Sequence, residues 1–179
     1  YIAERPDILV ASISVPLAGA GLVIADGRKG TREAITHLIE EHKCRRIAYI
    51  GGPLGNFEAQ ERYAEYRAAL IHYNVEIDPD LSVHADWFLE SGARAIQQLL
   101  DDRIASFDAV FAANDNLACG AIKELQRRSL KTPGDVSVVS FDNSRHAKAY
   151  SLTSVHQSFY DMGVEAVKLL SAQLQGEQV

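Results

Sequence analysis

Short apolar runs recur along the chain and are separated by amphipathic segments. The runs have the length of β-strands and are rich in valine, isoleucine and alanine; they are Arg46–Ile50, Leu81–Ala85, Ala109–Ala113 and Val136–Phe141. Short apolar runs bounded by polar residues are typical of strands that are buried on both faces. The pattern therefore predicts four buried strands.

The segments between these runs carry apolar residues at helical spacing. Four such faces are visible: Ala34, Ile35, Leu38 and Ile39; Tyr63, Tyr66, Leu70 and Tyr73; Ala93, Ile96, Leu99 and Leu100; and Leu117, Ala121, Ile122 and Leu125. Strands that alternate with helices imply right-handed crossovers and a parallel sheet with helices on both faces. The predicted fold class is therefore α/β, built as a three-layer unit around a parallel sheet.

Polar residues directly follow three of the predicted strands. They are the segments 51–56, 114–116 and 142–144. Ligands of open parallel sheets bind beyond the carboxyl ends of the strands, so these segments are where a ligand would be met. Asn56, Asn114 or Asp115 could equally serve as helix N-caps, worth about 1 kcal/mol each. Both roles stay open for each single residue, but three such segments on one edge favour a ligand site.

Composition and charge exclude several partners. The chain has 179 residues, 47% of them hydrophobic and 23% charged, as in an ordinary globular protein. A formal net charge of -6 argues against a surface that binds a phosphate backbone, so we predict no direct nucleic-acid contact by this segment. No apolar run approaches the ~20 residues of a membrane helix, and the first ten residues lack the order of a signal peptide. We therefore predict no membrane partner.

Cysteine and histidine residues show no pattern of a metal site. Cys44 and Cys119 are isolated in the sequence, and the six histidines include no HxxxH pair. We therefore predict no metal ion and no other cofactor. Isolated cysteines also favour a reducing compartment, so the predicted location is the cytoplasm.

Two enzyme classes, a dinucleotide-binding enzyme and a nucleophilic hydrolase, are disfavoured. The segment GGPLG at 51–55 could hold a phosphate at a helix N-terminus, but Pro53 interrupts it and the full G-x-G-x-x-G spacing is missing. A nucleophilic hydrolase would need a G-x-S-x-G motif, which the sequence lacks, and Cys119 falls inside a predicted helix. We predict that the chain is not an enzyme and has no catalytic residue.

Six ordered motifs carry a family resemblance. They are RRIAYIGGP, YRAAL, ADWFLESG, FDAVFAANDNLACGA, DVSVVSFDN and LTSVHQSFYDMG, and they span nearly the whole chain. In this order they resemble the effector-binding domain of LacI/GalR-type transcriptional regulators. The resemblance implies the periplasmic-binding-protein type I-like fold, in which two α/β lobes enclose a ligand cleft.

The resemblance also implies a division of the chain. Residues 26–156 would form a complete C-terminal lobe, while residues 1–25 and 157–179 would be a fragment of the N-terminal lobe. That fragment contains one strand-like run, Ile8–Val15, and one amphipathic helix, and it is too small to cover its own apolar faces. We expect it to pack on the C-terminal lobe or on another chain, and we expect most of the N-terminal lobe and any DNA-binding or output domain to lie outside this sequence.

A sugar presents hydroxyl groups that both donate and accept hydrogen bonds, and an apolar C–H face. The resemblance places Arg62 in the cleft, where its guanidinium would donate several bonds; an exposed ion pair with Glu58 is the alternative. Asp142 would accept bonds from two neighbouring hydroxyls, unless it is only a turn residue. Asn114 would supply a donor and an acceptor, or would only cap the next helix.

Three further contacts follow from the resemblance. Trp87, the only tryptophan, occupies a position that stacks on the ligand ring, with a place in the core as the alternative. The family's two lobes are connected by crossovers, which would lie near Ala25 and Gln157 here. Gln157 and Phe159 match cleft-facing family positions at the second of these crossovers. The predicted ligand-binding residues are therefore Arg62, Asn114, Asp142, Trp87, Gln157 and Phe159.

The sequence departs from the family pattern at three places. Asn143 stands where the family usually has a second acid, and Gly27 follows Asp26 where asparagine is common. Ser158 replaces a frequent proline and, with Asp161, forms a capping-box-like start to the last helix. These changes leave the predicted fold intact but weaken any identification of the ligand.

The predicted function is that of an effector-sensing domain in a LacI/GalR-type regulator. A small polar ligand, such as a sugar or a nucleoside, would close the lobes and control an attached output, in a homodimer that reaches DNA only through another domain. Two alternatives stay open. One is a LacI-like sensor fused to a diguanylate cyclase or histidine kinase, and the other is an exported sugar-binding protein.

Overall fold

The structure, a computed structural model, describes residues 8–176. Contacts between residues divide the chain into two compact units. The larger unit is Gly27–His156, and the smaller unit consists of the described residues before and after it. The helices and strands, in chain order, are β1 (Ala11–Ile13), β2 (Gly21–Val23), α1 (Arg28–Glu40), β3 (Ile47–Gly51), α2 (Phe57–His72), β4 (Ser82–His84), α3 (Leu89–Gln97), β5 (Ala109–Ala112), α4 (Asp115–Arg127), β6 (Ser137–Asp142), α5 (Arg145–Ala149), β7 (Thr153–His156) and α6 (Phe159–Leu174).

A five-stranded sheet forms the centre of the larger unit. Its strands are all parallel and follow the order β4-β3-β5-β6-β7. The chain therefore starts inside the sheet at β3, adds β4 on one side, and then crosses over to build β5, β6 and β7 on the other. The direction of winding reverses between β3 and β5. The prediction of an α/β fold with a parallel sheet is confirmed.

The four predicted strands correspond to β3, β4, β5 and β6, with ends that differ by at most one residue. The fifth strand, β7, was not predicted. Its sequence is TSVH, and its first and last residues, Thr153 and His156, are exposed at the edge of the sheet. An edge strand of this kind lacks the apolar run that marks a buried parallel strand.

Two layers of helices cover the sheet. On β3, Ile47 and Tyr49 point to the side of α1 and α2, whereas Ala48 and Ile50 point to the side of α3 and α4. Alternate residues of a strand face opposite sides, so a strand buried on both faces must be apolar at every position. All five residues of β3 are buried, as this arrangement requires.

Helices α3 and α4 approach each other closely through two glycines. A Cβ atom on Gly92 of α3 would collide with the backbone carbonyl of Leu117 in α4. A Cβ atom on Gly120 of α4 would likewise collide with the carbonyl of Leu89 in α3. The two helix backbones are therefore in direct contact, and this contact fixes the start of α4 relative to the start of α3.

The smaller unit consists of β1, β2 and α6. The two strands are parallel and paired, and α6 packs on both; Gly21 of β2 lies directly against Leu169 of the helix. The predicted strand-like run Ile8–Val15 is a strand only over Ala11–Ile13, because Ser14 adopts a left-handed backbone with φ of 64°. Many large apolar side chains of this unit are exposed, namely Ile8, Leu9, Ile13, Val15, Leu17, Leu22, Ile24, Phe159, Tyr160, Val167 and Leu174.

Within residues 8–176, no helix is both long enough and apolar enough to cross a membrane. In the same part of the chain, no three potential metal-ligating side chains among histidine, cysteine, aspartate and glutamate come together.

Candidate ligand-binding site

Four of the six predicted site residues lie in the larger unit, along the carboxyl edge of its sheet. Trp87 follows β4, Asn114 follows β5, Asp142 ends β6, and Arg62 belongs to the helix that follows β3. The winding of the sheet reverses between β3 and β5, so this edge includes the crevice in which open α/β sheets bind their ligands. The fold thus gives a reason, independent of any resemblance, to look for a ligand here.

The other two predicted site residues, Gln157 and Phe159, belong to the smaller unit. Gln157 is buried, and its side-chain amide lies 3.4 Å from the sulfur of Met162. Phe159 is the first residue of α6, and 57% of its surface is exposed. Their role in ligand binding stays a prediction.

Arg62 is a buried cation with a fixed orientation. It lies in the second turn of α2, and only 5% of its surface is exposed. One guanidinium nitrogen donates to the carbonyl oxygen of Ala113 at 2.7 Å, and another lies 3.3 Å from a carboxylate oxygen of Glu58. The ion pair with Glu58 that was weighed as an alternative is therefore present, but the side chain is not exposed.

Aromatic rings enclose the same guanidinium. Its central carbon lies 3.9 Å from the centre of the Phe141 ring and 5.8 Å from the Trp87 ring. Burial lowers the pKa of Arg62, while the nearby carboxylates of Glu58 and Asp142 oppose this effect. A cation held between rings in this way favours a polar ligand that offers acceptor oxygens.

Asp142 stands at the end of β6 in a strained turn. Its φ is 107°, and the next residue, Asn143, has a φ of 54°. Residues other than glycine adopt such left-handed conformations at a cost of about 1–3 kcal/mol each, and they cluster at functional sites. Burial raises the pKa of the Asp142 carboxyl to about 7, with the positive charge of Arg62 opposing the increase. The carboxyl therefore keeps its proton to a higher pH than an exposed aspartate does.

Asn114 has two structural contacts of its own. Its side-chain oxygen accepts a hydrogen bond from the backbone N–H of Leu117 at 2.9 Å, so Asn114 is the N-cap of α4 and Asp115 is not. Its amide nitrogen donates to the backbone carbonyl of Trp87 at 3.2 Å. A side-chain amide has two donors and two acceptor lone pairs, so these bonds use one of each. The cap role is compatible with a ligand contact.

The indole of Trp87 is partly buried and packs against apolar residues from both faces of the sheet. It lies directly over Gly52, where a Cβ atom would collide with the ring. A side chain on the neighbouring Gly51 would collide with the Tyr49 ring. Gly51 and Gly52, which begin the segment GGPLG, thus make room for aromatic side chains.

The acceptor network of Asp115 was not predicted from the sequence. This residue opens α4 and is 1% exposed. One carboxylate oxygen accepts from the hydroxyls of Ser140 at 2.5 Å and Ser154 at 2.7 Å, and the other accepts from the backbone N–H of Ser144 at 2.6 Å. The one available signal was Ser140, a polar residue inside the apolar run of β6.

Comparisons with known proteins point to one family. A family model described as periplasmic binding protein-like domain matches residues 35–179. The HTH-type transcriptional regulator CelR of Thermobifida fusca is 38% identical over 168 residues, which are 92% of this chain and 48% of the relative. The HTH-type transcriptional repressor CytR of Escherichia coli (strain K12) is 33% identical over 177 residues, or 97% of this chain and 51% of the relative. The chain spans about half the length of the curated relatives it matches.

Solved structures agree with these relatives. A complex of the transcriptional regulator CelR with cellobiose has a TM-score of 0.85 and 36% identity, covering 94% of this chain and 53% of that chain. A sugar-binding transcriptional regulator of the LacI family from Escherichia coli, complexed with phosphate, has a TM-score of 0.83 and 28% identity, covering 100% of this chain and 67% of that chain. All four of these relatives and structures are described as transcriptional regulators rather than as enzymes.

Proposed function

Because this chain belongs to the periplasmic binding protein-like domain family, in its LacI/GalR branch, we propose that it senses a small polar effector and thereby controls transcription. The observation that carries the proposal is the buried Arg62 beside Asp142 at the carboxyl edge of the sheet. The relatives support a regulator over the alternatives of a cyclase- or kinase-linked sensor and an exported binding protein, because they are described as transcriptional regulators.

The proposed effector is rich in hydroxyl groups, as a sugar or a nucleoside is. Arg62 would donate to its oxygens, and Asp142 would accept from its hydroxyls. Asn114 would use its remaining donor and acceptor, and the indole of Trp87 would cover an apolar face of the ligand ring. The relative whose solved complex contains cellobiose makes disaccharides the first compounds to test.

The proposed mechanism is a shift between open and closed forms. We assign residues 26–156 to the C-terminal lobe and residues 1–25 and 157–179 to the N-terminal lobe, and Gln157 and Phe159 stay predicted ligand contacts. A ligand moves such an equilibrium only by its preference for one form over the other. In a homodimer, lobe closure would change the spacing of attached DNA-binding modules, and no bond needs to be broken.

Calorimetric titration of the chain tests the proposal. The panel contains cellobiose, glucose, ribose, glycerol and adenosine, and we expect at least one compound to bind. Asp142→Ala should weaken that binding about tenfold or more, because a partly buried hydrogen-bond partner of the ligand is lost. Asp108→Ala, a carboxylate at the opposite edge of the sheet, is the control and should leave the affinity unchanged. The proposal would be contradicted if no compound gave a heat of binding, or if Asp142→Ala and the unaltered chain bound with equal affinity.

A further inference from the structure

We propose that Asp115 is a positioning residue for this site: it holds the turn 142–144 in the one conformation that presents the Asp142 carboxyl to a ligand. This inference rests on the proposed function and deepens it. Asp115 itself is almost completely buried, so it would act on the ligand only through Asp142.

The direct part of the network joins Asp115 to the end of the turn. The backbone N–H of Ser144, which follows the strained residues, donates to the Asp115 carboxylate at 2.6 Å. Asp115 thus anchors the backbone of the turn directly.

The indirect part runs through Ser154 of β7. The backbone N–H of Asn143 donates to the hydroxyl oxygen of Ser154 at 2.9 Å, and that hydroxyl donates to Asp115 at 2.7 Å. The hydroxyl of Ser140, two residues before the turn, donates to the same carboxylate oxygen. The backbone N–H groups of both Asn143 and Ser144 are therefore held by Asp115, one directly and one through a serine.

The backbone conformation explains why the turn needs such a partner. Asp142 and Asn143 are consecutive non-glycine residues with positive φ, a conformation that persists only when surrounding contacts enforce it. Without the Asp115 carboxylate, the N–H of Ser144 and two hydroxyls lose their common acceptor. The turn would then relax, and the Asp142 carboxyl would leave its place beside Arg62.

The network also reaches the strand that leads out of the larger unit. Ser154 belongs to β7, which ends at His156, the last residue before the smaller unit begins. Ser154 and Asp115 therefore join the turn that carries Asp142 to the last strand of the larger unit. A ligand that moves this turn would act on β7 through these two side chains.

Amide hydrogen exchange measured by NMR tests the inference without a ligand. In Asp115→Asn, which keeps the size of the side chain but loses one acceptor oxygen and the charge, we expect the Ser144 amide to exchange about tenfold faster or more. Ser154→Ala should accelerate the Asn143 amide in the same way and leaves Asp115 in place. It also provides a variant if Asp115→Asn does not fold. Unchanged exchange at both amides would overturn the inference.

A second measurement separates positioning from general stability. Glu124→Gln is the matched control, because Glu124 is also buried in α4 and its carboxylate binds Arg127 and Arg128 at the far end of the helix. With cellobiose as the first probe, and the other panel compounds after it, Asp115→Asn should lower the affinity about tenfold or more. Glu124→Gln should lower the melting temperature but leave the affinity unchanged.

The outcomes are distinguishable from a failure of the proposed function. Equal losses of affinity in Asp115→Asn and Glu124→Gln would reduce Asp115 to a residue for stability, and an unchanged affinity with faster exchange would overturn the positioning role. If the unaltered chain binds no panel compound, the proposed function fails. In that case amide exchange at Asn143 and Ser144 still decides whether Asp115 fixes the turn.

Discussion

The central sheet has an amino edge, where its strands begin, and a carboxyl edge, where they end. Both carry arginine and aspartate residues, but these differ in their exposure to water. At the amino edge, Arg46 donates to the carbonyl of Ser106 and pairs with Asp78 at 3.0 Å, and its side chain is 43% exposed. At the carboxyl edge, Arg62 is buried against aromatic rings, and burial shifts the pKa of both Arg62 and Asp142. The amino edge holds a partly exposed ion pair, whereas the carboxyl edge keeps its charged groups away from water.

The difference shows that polar composition alone does not mark a site. Asp108 at the amino edge accepts backbone N–H bonds from Arg45 and Arg46, and this anchors the start of β3. The Asp142 carboxyl instead lies in a strained turn, and its pKa is raised by burial. A shifted pKa together with a strained backbone is a better indicator of a functional site than polar composition is.

The largest expected effect is the pH dependence of stability at the carboxyl edge. Asp142 has a pKa raised from 3.8 to about 7 in the folded chain, so the folded state binds an extra proton between these values. The contribution of Asp142 to the free energy of unfolding is therefore present below pH 4 and is lost as the pH rises to 7. The complete loss corresponds to at most about 4 kcal/mol.

Urea unfolding of the unaltered chain and of Asp142→Asn from pH 4 to pH 7 measures this contribution. The difference in unfolding free energy between the two proteins should fall as the pH rises, because asparagine does not titrate. Equal slopes of free energy against urea in both proteins serve as the control. A difference that stays constant or increases with pH would remove the contrast between the two edges.

The next effect compares two arginines. Arg62→Ala should weaken binding of the panel compound by about 10-fold to 100-fold, because charged hydrogen bonds in a buried site contribute about 1.5–3 kcal/mol. Arg46→Ala, at the amino edge, should leave the affinity unchanged. Calorimetry on both variants decides the matter, and the contrast between the edges fails if both lose affinity or neither does.

A smaller effect compares two helix caps at the carboxyl edge. Asn56 caps α2 by accepting from Ala59 at 2.9 Å, as Asn114 caps α4. Replacing either by alanine should reduce the free energy of unfolding by about 1 kcal/mol. Only Asn114→Ala should also weaken ligand binding in calorimetry, since only Asn114 is proposed to contact the ligand. If Asn56→Ala also lost affinity, the ligand site would extend beyond the proposed residues.

The smallest effect concerns the solvated edge itself. Arg46→Ala removes an exposed ion pair and should reduce the free energy of unfolding by about 0.2–1 kcal/mol. Added salt should shrink this loss, because exposed charges are screened. Urea unfolding at low and high salt measures it. A loss above about 2 kcal/mol would mean that the amino edge is not the solvated surface described here.

The sequence was sufficient to predict the buried strands but not the exposed ones. Strands β3 and β5 were predicted because burial on both faces leaves only apolar residues. Strand β7 was missed because its exposed residues, Thr153 and His156, read as a loop. The strand-like run at Ile8–Val15 was too long by five residues, since a left-handed Ser14 ends the observed three-residue strand.

The candidate site divides in the same way. The position of Asn114 and Asp142 after apolar runs predicted that they share an edge of the sheet, and the structure places them there. The role of Asp115 could not be predicted, because its partners Ser140, Ser144 and Ser154 are 25, 29 and 39 residues away in the chain. Only the folded arrangement of β6 and β7 brings these partners together.

The contact between α3 and α4 has a consequence for the position of two candidate site residues. Gly92 and Gly120 leave no space for even one methyl group, and the helices they join start next to Trp87 and Asn114. Any side chain at either position would push the starts of the two helices apart. A substitution at Gly92 or Gly120 would therefore displace Trp87 and Asn114 without changing either of them.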